Sequence, residues 1–381
     1  MQNIFLQLVM FFSGIMTWRY EYFFQMLKSD QQARLLMIGL IKTGLASGLI
    51  ITAVIYVFSA QAAEVLSLDS RANWLIIAPL SAFLVSLALA CQHNAQRAGS
   101  YKVSALSEVF GKSAYVASGA LLSLVSANGL IFTTLFGALG KIVSILPYSK
   151  GLIAARCDAP IVTISPFKEH AKGAHALVAS HVLVTISSAA PIFFISAHYG
   201  TEILGQFSMV MATVFLPSGL IGAAIGQVFY QRAASHSDQP VILRSLWAVT
   251  VRKLVLFGAP IYLLAGFMSP WIYPFVLGGQ WHDAGLYAQF LVVGAFSAFI
   301  STPLDRISLV LRKNYYLPVI HSLRLVLTGL VLLIAEHYAL DFQEFLILYV
   351  LQTSFVYLLD LFIGNILIRW SVAQTFPAAR S

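Results

Sequence analysis

Long apolar stretches separated by short polar segments dominate this chain. A helix needs about 20 apolar residues to span a bilayer, and hydropathy divides the chain into eleven such stretches. Their approximate limits are residues 3–23, 35–58, 73–92, 108–127, 129–147, 176–198, 203–229, 252–276, 284–305, 315–336 and 343–368. The pattern predicts an all-α polytopic membrane protein with about 11 transmembrane helices.

Basic residues are concentrated in every second segment between the predicted spans. In chain order these segments carry Lys28, Arg34, Arg97, Lys102, Lys112, Lys150, Arg156, Lys168, Lys172, Arg232, Arg244, Arg252, Lys253, Arg306, Arg312, Lys313, Arg369 and Arg380. The intervening segments contain a single basic residue, Arg71. Because basic loops stay in the cytoplasm, the alternation predicts a cytoplasmic C-terminus and a first span that starts outside.

Composition supports a membrane protein and narrows its function. Of the 381 residues, 59% are hydrophobic and 10% are charged, whereas a soluble domain has about 25% charged residues. These values exclude the soluble enzyme classes. The formal net charge of +8 follows from the topology, because all basic residues but one lie in cytoplasmic segments or within spans. We therefore predict no nucleic-acid partner.

A polar stretch with two prolines, Pro160 and Pro166, interrupts the spans near the middle of the chain. Five predicted spans precede it and six follow it. We predict an N-terminal helical bundle at residues 1–147, a cytoplasmic linker at 148–175 and a C-terminal bundle at 176–381.

Signatures of nucleotide-driven, metal-dependent and nucleophilic catalysis are missing from the sequence. It has no G-x-x-x-x-G-K-[ST], H-E-x-x-H, C-x-x-C or G-x-S-x-G pattern. His170, His175 and His181 are five and six residues apart, which we interpret as loop and helix-end positions that share no helix face. No enzyme activity, metal site or cofactor is predicted.

Ionisable residues in the predicted spans are the candidate functional residues, because a charge at the bilayer centre costs about 2.5–3.5 kcal/mol. Lys42, Lys141, Arg324 and Asp360 lie within spans, and Arg19, Glu21, Asp305 and Arg306 lie at cytoplasmic ends. Three of the four deep charges are cationic, which favours a cavity for an anionic group such as phosphate. Two alternatives stay open: the lysines snorkel to the interface, or Arg324 and Asp360 form a structural ion pair.

Several stretches resemble motifs of bacterial polysaccharide flippases. Residues 18–22 and 27–33 are similar to the pattern R-[FY]-E … L-x-x-[DS]-x-x-A, and residues 275–285 to F-G-x-x-W-x-x-A-G. Further similar stretches are residues 104–107, 205–229 and 301–303. They follow one another in order along nearly the whole chain. The chain thus resembles the Wzx-like oligosaccharide flippases, a polysaccharide transporter family of the MOP superfamily.

The resemblance implies a MOP-type two-bundle transporter that works by alternating access. Its implied substrate is an undecaprenyl-pyrophosphate-linked oligosaccharide, which is flipped across the bacterial cell inner membrane for O-antigen, capsule or exopolysaccharide synthesis. Membrane lipids, a polysaccharide polymerase and assembly proteins are the implied partners. The family motifs assign no role to the four deep charges, so their roles rest on the residue-level argument.

The first predicted span matches the second helix of that family, whose members usually have about twelve helices with both ends inside. We therefore expect the first family helix to be missing, because the start is placed too late or the copy is truncated. Two alternatives to a flippase stay open: a MATE-like multidrug or cation antiporter, and a truncated, non-transporting member of a glycan assembly complex. The excess of deep cations argues against the antiporter, whose cavity would favour acidic groups.

Overall fold

A computed structural model describes residues 2–27, 29–58, 75–125, 132–154, 166–313 and 315–375, and these ranges contain helices and no strand. The helices are α1 Gln2–Met16, α2 Asp30–Val57, α3 Ile77–Arg97, α4 Tyr101–Val125, α5 Thr133–Ala154, α6 Pro166–His198, α7 Thr201–Val214, α8 Ala223–Ser235, α9 Pro240–Leu277, α10 His282–Ser301, α11 Ile307–Val310, α12 Tyr316–His337 and α13 Phe342–Thr375. A 3-10 segment, Tyr20–Met26, lies between α1 and α2. The predicted all-α class is confirmed.

Within the described ranges, each of the eleven predicted spans overlaps one helix or consecutive helical segments. In the described ranges, seven helices are long and apolar enough to cross a membrane, and the bent pair α7 and α8 brings the number to eight. Shorter apolar helices cover Phe5–Met16 and Thr133–Tyr148. The polytopic membrane class is therefore confirmed, whereas the number eleven stays a prediction.

Side-chain caps explain where two of the long helices start. The Ser29 hydroxyl accepts a hydrogen bond from the Gln32 amide at 3.2 Å, at the start of α2. At the start of α13, the Glu344 amide donates to Asp341 at 2.8 Å and the Asp341 amide donates to Glu344 at 3.1 Å. This reciprocal pair is a capping box, which satisfies two amides that the helix itself leaves unbonded.

The bend between α7 and α8 follows from the sequence at residues 216–222. Pro217 precedes a π-helical turn, Ser218–Gly222, and the two helical segments meet at 42°. Proline has no amide hydrogen and therefore removes one helical hydrogen bond, which allows the bend. After the bend, Gly226 of α8 packs against Pro303. A Cβ at residue 226 would lie 3.0 Å from the Pro303 Cα.

The chain forms two compact units, an N-terminal unit Met1–Val182 and a C-terminal unit Leu183–Ser381. The boundary between them falls within α6. Residues 148–154 belong to α5 and residues 166–175 to α6, so helices occupy both ends of the predicted linker. Residues 155–165 lie outside the described ranges. The division into bundles at 1–147 and 176–381 stays a prediction.

Helix α3 lies at the centre of the N-terminal unit, and two thirds of its most apolar stretch is buried. It carries alanines and serines where most spans carry leucine, and small side chains allow close helix packing. Ala78 and Ala82 are fully buried against Phe5 and Val9 of α1. Such packing has to supply helix association in a bilayer, because the surrounding lipid is as apolar as the helices.

Helix α10 has the corresponding central place in the C-terminal unit, and 72% of its most apolar stretch is buried. It contacts α9 closely, and a Cβ on Gly285 would lie 2.7 Å from the Ser269 carbonyl oxygen. The Ser269 hydroxyl donates to the Gly285 carbonyl at 2.9 Å. Gly285, the last residue of the 275–285 motif, is therefore a packing residue.

Replacing Gly285 with valine is expected to destabilise the protein by about 1–3 kcal/mol, because the added carbons overlap the α9 backbone. Gly205→Val is the matched control, since a Cβ at residue 205 would meet nothing within 4 Å. Thermal unfolding in detergent measures both variants. Equal stability of the two would contradict the close contact between α9 and α10.

Candidate functional site

The eight candidate charges are divided equally between the two compact units. The N-terminal unit contains Arg19, Glu21, Lys42 and Lys141, and the C-terminal unit contains Asp305, Arg306, Arg324 and Asp360.

Arg324 lies within α12, half-buried against α13. Its Nη1 donates to the Tyr357 hydroxyl at 3.2 Å, and its guanidinium carbon lies 5.3 Å from the centre of the Tyr357 ring. Among the described residues, Arg324 forms no ion pair with a carboxylate. The alternative of a structural pair between Arg324 and Asp360 is therefore not supported, and the guanidinium keeps donors for an anion.

Other polar side chains of α13 lie near Arg324 or are buried without a partner. Tyr349, also on α13, is close enough to Arg324 to interact with it electrostatically. Gln352 and Ser354 are each 8% exposed, and within the described structure the Gln352 Nε2 and the Ser354 hydroxyl have no hydrogen-bond partner. Buried polar groups are nearly always bonded, so these two atoms have capacity for a ligand or for water.

Asp360 of α13 accepts hydrogen bonds at both carboxylate oxygens. The Ser301 hydroxyl donates to one oxygen and the Tyr316 hydroxyl to the other, each at 2.6 Å. Ser301 is the last residue of α10 and Tyr316 the first of α12. The carboxylate therefore connects three helices of the C-terminal unit.

Asp305 and Arg306 follow α10, close to Asp360. The Asp305 carboxylate is near enough to Asp360 for their charges to interact. The guanidinium of Arg306 lies 5.9 Å from the centre of the buried Tyr230 ring. Asp305 and Asp360 are therefore electrostatic neighbours, and Arg306 lies beside an aromatic ring.

The two deep lysines have different surroundings. Lys141 of α5 donates to Glu108 of α4 at 2.6 Å, and Gln92 of α3 donates to the same carboxylate at 3.1 Å. Lys42 is exposed on α2 and forms no ion pair among the described residues. Lys141 therefore links helices, while the exposure of Lys42 agrees with snorkelling.

Arg19 and Glu21 are held by contacts inside the N-terminal unit. Glu21 is fully buried, accepts a hydrogen bond from the Thr17 hydroxyl at 2.6 Å and lies 3.8 Å from Arg19 Nη1. Arg19 Nη1 also donates to the Tyr22 hydroxyl at 3.0 Å, and Nη2 donates to His181 Nδ1.

A buried amide network in the N-terminal unit was not predicted. Gln25 Nε2 donates to His93 Nδ1 at 3.2 Å and to Gln96 Oε1 at 2.8 Å, and Gln96 Nε2 donates to the Ser104 hydroxyl at 2.9 Å. It connects the 3-10 segment, α3 and α4. The polar run Gln92, His93, Asn94 and Gln96 at the end of an apolar span could have indicated this network, because uncharged amides inside a span also need hydrogen-bond partners.

The three histidines near the middle of the chain lie on α6, and their predicted loop and helix-end placement is wrong. His170 stacks on Phe23 at 4.8 Å. His181 contacts α1 and Arg19. His170 and His181 are eleven positions apart, which is about three helical turns, so they share a face of α6. No metal-binding group of histidine, cysteine or acidic residues occurs in the described ranges.

The sequence matches one protein family over most of its length. A family model described as "Polysaccharide biosynthesis protein" matches residues 28–285, more than half of the chain. No curated protein sequence matches the chain.

Solved structures of MATE transporters share the fold. A MATE transporter in complex with MaL6 aligns with a TM-score of 0.76 at 12% identity, over 97% of this chain and 87% of that chain. The bent form of the Vibrio cholerae MATE transporter VcmN gives 0.73 at 11% identity, over 97% and 87%. A multidrug resistance MATE family transporter of the MOP superfamily, in its outward-facing conformation, gives 0.75 at 11% identity, over 96% and 85%. The chain therefore belongs to the family of polysaccharide biosynthesis proteins and has the all-α membrane fold of the MATE transporters in the MOP superfamily.

Proposed function

We propose that this protein flips an undecaprenyl-pyrophosphate-linked oligosaccharide across the bacterial inner membrane by alternating access. The observation that carries the proposal is Arg324, a half-buried cation within a candidate span that has a tyrosine partner and no carboxylate among the described residues. The family description, polysaccharide biosynthesis, supports a glycan substrate. We further propose that the C-terminus lies in the cytoplasm, the side on which the lipid-linked glycan would be loaded.

A pyrophosphate group suits Arg324 for chemical reasons. The guanidinium is planar, always charged, and presents paired donors that match two phosphate oxygens. The hydrogen bond and the ring contact with Tyr357 hold the guanidinium in place before the substrate arrives. Gln352, on the same helix as Tyr357, has an amide nitrogen that is left to donate to a sugar hydroxyl.

Asp360 has a different proposed role, in coupling transport to an ion. The Asp360 carboxylate and the two hydroxyls that bond it bring oxygen atoms of three helices together, which is a setting for a proton or a hard cation, and Asp305 adds a second acidic group within electrostatic range. Because Ser301, Tyr316 and Asp360 belong to three helices, occupation of this site would bias how those helices pack. Lys141, Arg19, Glu21 and Arg306 have structural contacts and are assigned no substrate contact.

A MATE-like cation antiporter is the second candidate function. The shared fold favours it, and so does the acidic pair Asp305 and Asp360, because carboxylates attract a cationic drug. A non-transporting member of a glycan assembly complex, working beside a polysaccharide polymerase and assembly proteins, is the third.

Complementation separates the three functions. Expression in a bacterial strain that lacks its oligosaccharide flippase is expected to restore surface glycan, while resistance to ethidium stays at the level of the empty vector. Drug resistance without glycan would favour the antiporter. If surface glycan and drug resistance are both absent at a normal amount of protein in the membrane, the non-transporting function is favoured.

A further inference from the structure

His181 of α6 is held by both of its ring nitrogens. Nε2 lies 3.1 Å from the Phe11 carbonyl oxygen of α1, and Nδ1 faces Nη2 of Arg19. A carbonyl can only accept a hydrogen bond and a guanidinium can only donate one. The imidazole is therefore neutral, with its proton on Nε2 and a lone pair on Nδ1 that accepts from Arg19.

The sequence of α1 is adapted to this imidazole. Gly14 faces the ring, and a Cβ at residue 14 would lie 1.9 Å from His181 Cδ2. Any larger residue would expel the side chain, because an overlap of this size exceeds what small shifts relieve. His181 thus occupies a notch in α1 that only glycine leaves open.

The turn that carries Arg19 is also held in an uncommon backbone conformation. Trp18 and Arg19 have φ values of 51° and 60°, in the left-handed region that residues with a Cβ rarely adopt. Such strain persists only where surrounding contacts impose it. The contact between Arg19 and His181 is one of them.

We propose that His181 is a proton-binding site that controls the attachment of residues 166–182 of α6 to α1 and the 3-10 segment. A proton on Nδ1 removes the acceptor of the Arg19 hydrogen bond and places two cations in contact. Arg19 then leaves Nδ1, and the strained turn at residues 18 and 19 relaxes. The proposal concerns proton control and does not depend on which substrate is carried.

The charged and titratable neighbours of His181 determine whether its protonation weakens or strengthens the contact with Arg19. The 3-10 segment and the turn before it present Arg19, Glu21 and Tyr22, while α1 contains no charged residue. Glu21 already balances Arg19, so a proton on His181 adds a net positive charge to a site where Glu21 is fully buried. The stability from the contact is therefore present at high pH, where His181 is neutral, and is lost as the pH falls.

Hydrogen–deuterium exchange of the full-length protein in lipid nanodiscs tests the proposal. After correction for the intrinsic pH dependence, exchange at residues 17–26 is expected to rise about tenfold between about pH 8 and pH 5 in the wild type. In His181→Gln the rise is expected to be less than about twofold, because the glutamine carbonyl accepts from Arg19 and takes up no proton.

His236→Gln is the matched control, because His236 is a half-buried histidine that follows α8 in the C-terminal unit, and the variant should keep the wild-type response. Arg19→Gln is a second test should His181→Gln fail to fold, since it removes the opposing cation and should also suppress the rise. A wild type without the rise, or a full rise in a folded His181→Gln protein, would overturn the proposal; should His181→Gln fail to fold, a full rise in Arg19→Gln would overturn it.

Discussion

Arg324→Ala is expected to abolish glycan export while the amount of protein in the membrane stays close to wild type. The variant removes the proposed charged hydrogen bond between Arg324 and the pyrophosphate. Losing one partner of such a bond costs about 3 kcal/mol, which corresponds to roughly a hundredfold weaker substrate binding. Folding should tolerate the change. Among the described residues, no carboxylate pairs with Arg324, so its removal leaves no acidic group without its partner. Surface glycan in the complemented strain, together with immunoblotting of membranes, measures both quantities.

Two further variants make this prediction specific. Arg324→Lys keeps the charge and loses the planar pair of donors, so we expect intermediate export. Lys42→Ala removes an exposed cation of another span and should export normally. Normal export by Arg324→Ala would remove Arg324 from the substrate site, and equal loss in Lys42→Ala would point to total charge instead.

Asp360→Ala is expected to lower the free energy of unfolding by about 3 kcal/mol, because the Ser301 and Tyr316 hydroxyls lose their acceptor. Asp360→Asn keeps one acceptor oxygen and should lose less stability. If Asp360 couples transport to an ion, Asp360→Asn should nevertheless lose glycan export as fully as Asp360→Ala does. Thermal unfolding and surface glycan measure the two effects separately.

Asp283→Asn is the matched control for the loss of an acidic group, because Asp283 is exposed near the start of α10 and contacts only His282 among the described side chains. It should keep both stability and export. A stable Asp360→Asn protein that exports glycan normally would contradict the coupling role and leave Asp360 as a residue that connects helices.

The positions of the helices could be predicted because a bilayer allows few alternatives. Every backbone amide and carbonyl within lipid needs an internal partner, so a long apolar stretch has to be helical. Helix ends beyond the apolar stretch were harder to predict. α9 begins at Pro240, twelve residues before its predicted span, because its first turns are largely apolar but Arg244, Arg252 and Lys253 lie in or next to them and lower the local hydropathy.

The candidate site could be predicted only in part. Deep charges such as Arg324 and Asp360 stand out because they are costly, yet hydropathy cannot show their partners, which lie on other helices. Tyr316 carries no charge and gave no signal, and Ser301 was marked only as part of the 301–303 stretch. The buried network around Gln25 and Gln96 was missed for the same reason.

The most direct test of lipid-linked oligosaccharide transport is flipping in a purified system. The protein is reconstituted into liposomes with a fluorescent undecaprenyl-pyrophosphate oligosaccharide, and a membrane-impermeant quencher reports how much remains in the outer leaflet. We expect the wild type and Lys42→Ala to equilibrate the lipid between leaflets and Arg324→Ala to match protein-free liposomes. A wild type that is no faster than protein-free liposomes would contradict the proposed function, and an Arg324→Ala protein as fast as the wild type would contradict the proposed site.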